Sequence, residues 1–154
     1  MKNVCFLYYL ILLSHVIHTL QLDETLSNDP SFVRYDFQKP LDFPSSLQES
    51  FDMVVIDPPF ITREVWEHYA QTAKALLRSP PCPYPDPDAN DQSDRGIVLA
   101  TTVRENQFLM RELFDAQPTE FRPNIPNLVY QYNIFLNVES PVLSEANQEI
   151  DSTL

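Results

Sequence analysis

The sequence predicts an α/β domain built on a mostly parallel sheet, and three observations carry this prediction. Met53-Val-Val-Ile56 is a short, unbroken apolar run, which is typical of a strand buried on both faces. A stretch with helical apolar spacing follows it at 62–77, and a second strand and helix pattern follows at 96–114. Alternating strands and helices indicate parallel strands joined by right-handed crossovers.

Composition narrows the function classes. The 154 residues suffice for one domain with a real core. The chain has 22 acidic and 10 basic residues, so its net charge of −12 argues against a nucleic-acid partner and favours a basic protein. The single glycine, Gly96, excludes a P-loop or a dinucleotide glycine fingerprint. Cys5 and Cys82 are too few and too far apart for a zinc site or a disulfide framework, so we predict no metal.

Residues 1–19 have the composition of a secretory signal. Lys2 precedes an apolar core that is too short for a comfortable membrane span. No convincing small-residue cleavage site precedes Gln21. A buried strand or helix is the alternative interpretation, and no membrane association is then expected.

Two short strand patterns upstream of the apolar run each end in an acid. Leu20–Asp23 ends at Asp23, and Phe32–Tyr35 is followed by Asp36. A carboxylate at the carboxyl end of a parallel strand can accept hydrogen bonds from ribose hydroxyls or from an adenine amine. Phe37 can cover a base or fill the core. Each acid alone is equally consistent with a solvated turn.

The strongest candidate for a site is the stretch Asp57-Pro-Pro-Phe60, which follows the buried run. Open α/β sheets bind ligands at the carboxyl ends of their strands. The two prolines end the strand there because neither has a backbone N–H to donate. The Asp57 carboxylate, the Pro58 carbonyl and the Phe60 ring then form two acceptors and an aromatic face, which suit a polarised amine. A rigid turn without chemistry is the alternative.

The pattern after this turn predicts two helices separated by a loop and a strand. Thr62 is a candidate N-cap for the first helix, whose apolar residues fall on one face. Residues 79–95 are a proline-rich loop that interrupts the connection to the next strand. Thr102 and Glu105 have the spacing of a capping box for the second helix.

The sequence pattern of residues 121–154 predicts a strand at the edge of the sheet, followed by a tail. Residues 128–136 are a long aromatic strand pattern, which we expect to pair antiparallel after a short strand near Phe121. Residues 139–154 are acidic and polar without a clear period, and we expect them to be loosely ordered.

Three separated stretches stand in a recognisable order: Phe32-Val-Arg-Tyr-Asp-Phe37, Phe51-Asp-Met-Val-Val-Ile-Asp-Pro-Pro-Phe60 and Asn127-Leu-Val-Tyr-Gln-Tyr-Asn-Ile-Phe-Leu-Asn137. Together they resemble the elongation factor 1-alpha lysine methyltransferase family, which was formerly grouped with N6-adenine methyltransferases because of its Asp-Pro-Pro-aromatic motif. The resemblance covers roughly residues 20–137. It implies a Rossmann-like enzyme that uses S-adenosyl-L-methionine and methylates a lysine of elongation factor 1-alpha or a similar basic protein in the cytoplasm, as a monomer.

The resemblance also implies roles for individual residues. Asp57 and the Pro58 carbonyl would hold the target amine, and Phe60 would pack against it. On the cofactor side, the resemblance assigns the ribose to Asp23 and the adenine to the pair Asp36 and Phe37. Further candidates for contact with the substrate are Pro59, Asn127, Tyr130 and Tyr132.

The chain departs from the family pattern at its amino end. Family members have a longer region there, with the first strand and the loop after it, so we expect this sheet to lack its central first strand. Residues 1–19 are then a signal-like or artefactual segment, and residues 20–138 are a partial methyltransferase domain. Two alternatives remain open: a non-catalytic fragment, and an N6-adenine nucleic-acid methyltransferase, because adenine's amine fits the same acceptors. If residues 1–19 are a true signal, the protein enters the secretory pathway.

Overall fold

The computed structural model describes residues 4–7, 17–58, 62–78, 96–124 and 131–148, and these form one seven-stranded sheet with two α-helices. Four short 3-10 helices lie in its connections. The α-helices are α1 (Arg63–Leu76) and α2 (Gln107–Phe114). The strands are β1 (Val4–Leu7), β2 (Ile17–Gln21), β3 (Phe32–Arg34), β4 (Met53–Ile56), β5 (Ile97–Val103), β6 (Gln117–Pro118) and β7 (Tyr132–Leu136), in the spatial order β3-β2-β1-β4-β5-β7-β6.

The strand directions confirm a mostly parallel sheet with an antiparallel carboxyl-terminal edge. The five strands from β3 to β5 pair in parallel, whereas β7 pairs antiparallel with β5 and β6 pairs antiparallel with β7. The outermost strand is Gln117–Pro118, so the short edge strand lies before the predicted position near Phe121. Of the predicted strand 128–136, only the part from residue 131 lies within the described residues.

The prediction that the sheet lacks its central first strand is wrong. Val4–Leu7 lies between β2 and β4, and Val4 pairs with Ile17 on one side and with Met53 on the other. Residues 4–7 form β1 and residues 17–19 begin β2, which agrees with the alternative interpretation of this segment as a strand. The error has a physical cause, because the apolar core of a signal peptide and a buried strand have the same composition.

One face of the sheet and the two α-helices enclose the core. Alternate residues of β4 and β5 are buried against the helices, whereas Met53, Val55 and Leu99 on the other face are only half-buried. Trp66 of α1 is fully buried and packs edge-on against Phe114 of α2. The buried strand residues are Val54, Ile56, Val98 and Ala100.

The first helix follows the predicted pattern closely. Its buried apolar residues are those of the predicted stripe, and Thr62 occupies the N-cap position, although its side chain makes no capping hydrogen bond. A buried polar contact adds to the packing, because Tyr35 Oη lies 2.5 Å from Oγ1 of Thr72. Thr72 Oγ1 also donates to the Pro40 carbonyl at 2.8 Å. These bonds attach the connection between β3 and β4 to α1.

The predicted capping box is wrong. Strand β5 continues through Val103, so Thr102 is a buried strand residue whose hydroxyl accepts a hydrogen bond from Nδ2 of Asn106 at 3.0 Å. The N-cap of α2 is Asn106. A threonine favours strands and caps alike, and the pairing with β7 decides in favour of the strand.

The predicted tail is partly ordered. The backbone N–H of Phe121 donates to the Leu143 carbonyl at 3.1 Å, and Nδ2 of Asn147 donates to the Arg122 carbonyl at 2.9 Å. The expectation of a loose tail is therefore wrong up to residue 148, where the described residues end. The predicted proline-rich loop, 79–95, lies outside the described residues. Neither α-helix, nor any other helix among the described residues, has the length and apolarity to cross a membrane.

Candidate active site

The site is built on the carboxyl ends of β4 and β5. Asp57 follows β4 directly, and the pairing of Ile56 with Ala100 places Thr101 of β5 beside it. The hydroxyl of Thr101 donates a hydrogen bond to Oδ1 of Asp57 at 2.5 Å. Because β5 is paired on both sides, by β4 and by β7, the strand holds the hydroxyl in a fixed place.

The pKa of the Asp57 carboxyl differs from that of an ordinary aspartate. Burial raises its pKa above the ordinary value, because a half-buried carboxylate loses part of its hydration, and the hydrogen bond from Thr101 partly opposes this rise. No charged group contributes to this balance among the residues that the structure describes. The carboxylate is thus an acceptor whose Oδ1 is engaged by a neutral hydroxyl.

The turn after Asp57 is only partly within the described residues. Pro58 is buried, and α1 begins at Arg63, so the turn connects the end of β4 to the first turn of α1. Pro59 and Phe60, which the sequence assigned to the same site, lie outside the described residues.

Tyr132 lies on the same face of the sheet as Thr101. It is half-buried at the start of β7 and pairs with Val103, while Thr101 pairs with Ile134. Directly opposed residues of paired strands share a face, so Tyr132 lies beyond Thr101 toward the carboxyl end of β5. The other two predicted substrate contacts on this segment, Asn127 and Tyr130, lie outside the described residues.

Asp23 stands at the carboxyl end of β2 on the opposite side of β1. It caps the short 3-10 helix Glu24–Leu26, and its Oδ1 accepts hydrogen bonds from the hydroxyl and from the backbone N–H of Thr25, the latter at 2.8 Å. These bonds, the hydroxyl's first, hold the pKa of this exposed carboxyl below its ordinary value. Asp23 therefore remains ionised and keeps an oxygen outside the Thr25 bonds.

Asp36 and Phe37 follow β3, the next strand outward. Oδ1 of Asp36 accepts the backbone N–H of Gln38 at 3.0 Å. The Phe37 ring is half-buried and stacks on Tyr69 of α1, with ring centroids 6.0 Å apart and an interplanar angle of 19°. His68 is half-buried and also lies against this ring, with a centroid distance of 6.3 Å.

The acids at this edge are separated by the width of the intervening strands. Asp23 and Asp57 lie at the ends of β2 and β4 with β1 between them, and two strand spacings amount to roughly 10 Å. Asp36 lies one strand further out. The edge can thus accept an elongated small molecule whose two ends contact different strands.

Gln21, the last residue of β2, is a polar residue that sequence reasoning missed. Its side chain is 2% exposed, and neither the nitrogen nor the oxygen of its amide group has a hydrogen-bond partner among the residues that the structure describes. An unpaired buried amide costs about 1–3 kcal/mol, and such groups usually mark a missing partner. Its main-chain carbonyl accepts the N–H of Tyr35 at 2.9 Å, which joins the ends of β2 and β3. The acids and this amide fit a nucleoside, which offers hydroxyl and amine donors.

An ion pair fixes the start of α1 beside the site. Both terminal nitrogens of Arg63 contact the Glu112 carboxylate of α2, at 3.0 and 2.9 Å, and Nη1 also lies 3.3 Å from Glu67. These bonds raise the pKa of Arg63 and lower that of Glu112.

A cavity of about 620 Å³ lies away from the predicted site, between β6, β7 and residues 138–144. None of the residues that line it was predicted to belong to the site.

Thr101 is the second residue that sequence reasoning missed. Its signal in the sequence is positional: it falls one place after the residue of β5 that pairs with the last residue of β4. This position becomes visible only when the two strands are known to be neighbours in register.

Comparison with solved structures agrees with the fold. The chain is similar to TrmN from Thermus thermophilus, with a TM-score of 0.50 and 17% sequence identity over 88% of this chain and 43% of that one. At this identity the likeness shows the fold alone, and it confirms the predicted Rossmann-like methyltransferase fold.

Comparison with curated proteins gives relatives of named activity. The chain is 28% identical over 122 residues to the protein-lysine N-methyltransferase EFM5 of Saccharomyces cerevisiae, and the aligned region covers 75% of this chain and 46% of the relative. It is 40% identical over 111 residues to EEF1A lysine methyltransferase 1 of Homo sapiens, over 71% of this chain and 44% of the relative. The chain thus spans less than half the length of these two relatives.

The match to a protein-family model is broader. Residues 13–140 match the model described as probable N6-adenine methyltransferase, so the match includes β2 to β7 and both α-helices. The chain therefore belongs to this family of probable N6-adenine methyltransferases.

Proposed function

We propose that the chain is a protein-lysine N-methyltransferase that uses S-adenosyl-L-methionine as its methyl donor. The observation that carries the proposal is the half-buried carboxylate of Asp57, which Thr101 holds at the carboxyl end of β4. This geometry suits a site that must receive an amine in one orientation. The named activities of the yeast and human relatives support the choice of lysine as the target.

The chemistry of methyl transfer defines what the residues must do. S-adenosyl-L-methionine supplies a methyl carbon on a positively charged sulfur, and the C–S electron pair stays on the sulfur as the N–C bond forms. The lysine nitrogen needs a lone pair, so its ammonium proton must first pass to solvent. A carboxylate favours the charged form of lysine, so we assign Asp57 the role of orienting the amine and not of removing its proton.

The rest of the amine site follows from the turn. We assign the Pro58 carbonyl as the second acceptor for the amine N–H groups, and the Phe60 ring as a cation–π contact for the positive charge. Pro59 holds the turn rigid in this proposal. Further contacts with the substrate are assigned to Asn127, Tyr130 and Tyr132.

The cofactor side uses the ends of β2 and β3. We assign the Asp23 carboxylate to the ribose hydroxyls, because it is ionised and exposed. Asp36 and Phe37 are assigned to the adenine, the former as an acceptor and the latter as an apolar face. The unpaired amide of Gln21 at the same edge supports a polar ligand there.

Charge supports a basic protein as the substrate. The net charge of −12 attracts a positively charged partner, and the human relative's name contains EEF1A. We therefore propose elongation factor 1-alpha or a similar basic protein as the substrate, the cytoplasm as the location and a monomer as the active form. Residues 20–138 together with β1 form the catalytic part, with an insertion at 79–95 and a tail at 139–154.

A labelled-methyl assay tests this proposal. The purified chain is incubated with methyl-labelled S-adenosyl-L-methionine and elongation factor 1-alpha, in parallel with Asp57→Ala and with an exposed control, Asp29→Ala. We expect label on lysine with the wild type and the control, and a loss of about a hundredfold with Asp57→Ala. Equal incorporation by wild type and Asp57→Ala would remove Asp57 from the mechanism.

The same assay separates the alternatives. The family model's description favours an adenine in nucleic acid as the target, so DNA and RNA are included as acceptors. Label on adenine with none on protein would replace the lysine proposal. Failure of the chain to bind S-adenosyl-L-methionine in calorimetry would favour the non-catalytic fragment.

A further inference from the structure

We propose that Thr101 is a positioning residue, whose hydroxyl holds Oδ1 of Asp57 so that Oδ2 is the oxygen presented to the target amine. The inference rests on the proposed methyl transfer and deepens it, because it names the residue that orients the carboxylate. Among the residues that the structure describes, Thr101 is the side chain that hydrogen-bonds the Asp57 carboxylate.

The geometry of the contact supports a fixed orientation. The oxygen–oxygen distance of 2.5 Å lies in the range of strong hydrogen bonds between a hydroxyl and a carboxylate. Threonine is branched at Cβ, so its χ1 angle is restricted. Thr101 lies within β5, opposite Ile134 of β7, and the strand is hydrogen-bonded on both sides. The donor is therefore more rigid than the residue it contacts.

The restraint matters because Asp57 stands where β4 ends. Asp57 is the first residue after β4, and its short side chain can rotate unless a partner fixes it. A displacement of about 1 Å at a reacting group can lower a rate a hundredfold. The Thr101 hydroxyl fixes the plane of the carboxylate before the substrate arrives.

The same hydroxyl sets the pH range in which Asp57 is charged. Burial raises the pKa of Asp57, and Thr101 counteracts this rise by donating to the charged form. Two charged residues, Arg104 and Glu105, follow β5 at the same edge; both are exposed, and the pKa of Asp57 responds to burial and to Thr101 and not to either of them. Arg63 of α1 is paired with Glu112 and Glu67. Without the hydroxyl, the pKa of Asp57 should therefore rise further.

Two substitutions separate the hydroxyl from the shape of the side chain. Thr101→Val keeps the branching and the strand propensity but removes the donor, and Thr101→Ser keeps the donor. The matched control is Thr119→Val, which removes a hydroxyl that donates to the Phe121 carbonyl at 2.9 Å and lies 3.3 Å from the Ile134 carbonyl. Thr119 follows β6, which is three strands away from β4 in the sheet. The full chain is used throughout.

The first measurement is the pKa of Asp57 in the cofactor-free chain, from the carbon-13 NMR shift of its carboxyl carbon. We expect Thr101→Val to raise this pKa, Thr101→Ser to keep it near the wild-type value and Thr119→Val to leave it unchanged. The second is methyl transfer as a function of pH. We expect Thr101→Val to lower kcat about tenfold or more with little change in KM, and to move the acidic limb to higher pH.

The outcomes are distinguishable. An unchanged Asp57 pKa in Thr101→Val, or a Thr101→Ser variant as impaired as Thr101→Val, would overturn the inference. If Thr101→Val does not fold, Thr101→Ala is measured against Thr101→Ser by the same criteria. If the pKa of Asp57 rises in Thr101→Val as expected but even the wild type transfers no methyl group, the proposed function is wrong. The inference that the Thr101 hydroxyl positions the Asp57 carboxylate is then still supported.

Discussion

Two acids at the same edge of the sheet behave in opposite ways. Asp57 and Asp23 each follow a parallel strand, and each accepts a hydrogen bond from a threonine hydroxyl. Asp57 is half-buried and its pKa is raised by that burial, whereas Asp23 is exposed and its pKa is lowered by its bonds to Thr25. The same sequence pattern thus gives two carboxylates of different character, and burial decides which one results.

The source of the threonine differs as well. Thr25 lies in the same turn as Asp23, so the bond forms wherever this local sequence forms a turn. Thr101 lies on the neighbouring strand, so its bond to Asp57 exists only in the folded sheet. Under the proposed assignments, the restraint that depends on tertiary structure acts on the acid that orients the amine, and the local restraint acts on the acid that binds the cofactor.

The largest expected effect is that of Asp57→Asn on the rate. This change keeps the size of the side chain but removes its charge, so the carboxylate can no longer orient the amine. We expect kcat to fall about a hundredfold while affinity for S-adenosyl-L-methionine changes less than about threefold. Steady-state kinetics and calorimetry measure the two quantities, and a fall in cofactor affinity with an unchanged kcat would reverse the roles of the two acids.

A smaller effect is expected for Asp23→Asn, and it concerns affinity for S-adenosyl-L-methionine and not kcat. The loss of a charged acceptor for ribose hydroxyls should weaken cofactor binding about tenfold. The rate at saturating cofactor should remain within about threefold of the wild type, because the proposal assigns this acid to the cofactor and not to the amine. The control is Asp29→Asn, which changes an exposed acid with the same type of bonds, to Ser31, and should leave both quantities unchanged.

The two acids should also be protonated at different pH values. Asp57 has a raised pKa, so it gains a proton at a higher pH than an ordinary aspartate, whereas Asp23 remains charged to a lower pH. As the pH falls, kcat should therefore decline before cofactor affinity does. If kcat and cofactor affinity declined over the same pH range, the predicted difference between the pKa values of Asp57 and Asp23 would be contradicted.

The folded state should respond to the Asp57 charge in the same sense. Because the raised pKa means that the folded state binds this proton more tightly than the unfolded state, ionised Asp57 weakens the fold above that pKa. We expect Asp57→Asn to raise Tm at neutral pH in thermal denaturation of the ligand-free chain. A lower Tm would show that the carboxylate supports the fold.

The smallest effect is expected for Thr25→Val. Asp23 is exposed, so water can replace the lost hydroxyl, and its pKa should return only toward the ordinary value. Cofactor affinity should change less than about threefold. A loss as large as that of Asp23→Asn would mean that Thr25 itself takes part in binding.

Several parts of the fold were predictable because their signals are local. The strand β4 follows from its unbroken apolar run, the buried stripe of α1 from its helical period, and the edge strand β7 from its aromatic residues. The end of β4 at Ile56 was predictable from the prolines that follow Asp57, which cannot continue a strand. The site assignments to Asp57 and Asp23 came from the resemblance and from their place after strands.

Other parts depended on pairing between distant segments. Strand β1 was missed because composition cannot separate a buried strand from a signal core, and only its position between β2 and β4 decides. Thr102 was misassigned because a strand and a cap favour the same residue. Thr101 and Gln21 gain their significance from register and burial, which a sequence without pairings does not contain.

The most direct test of the central contrast is one NMR titration that follows the carboxyl carbons of Asp57 and Asp23 in the same cofactor-free sample. We predict that Asp57 titrates above the ordinary aspartate value of 3.8 and Asp23 below it. Overlapping titration curves, or the reverse order, would contradict the account.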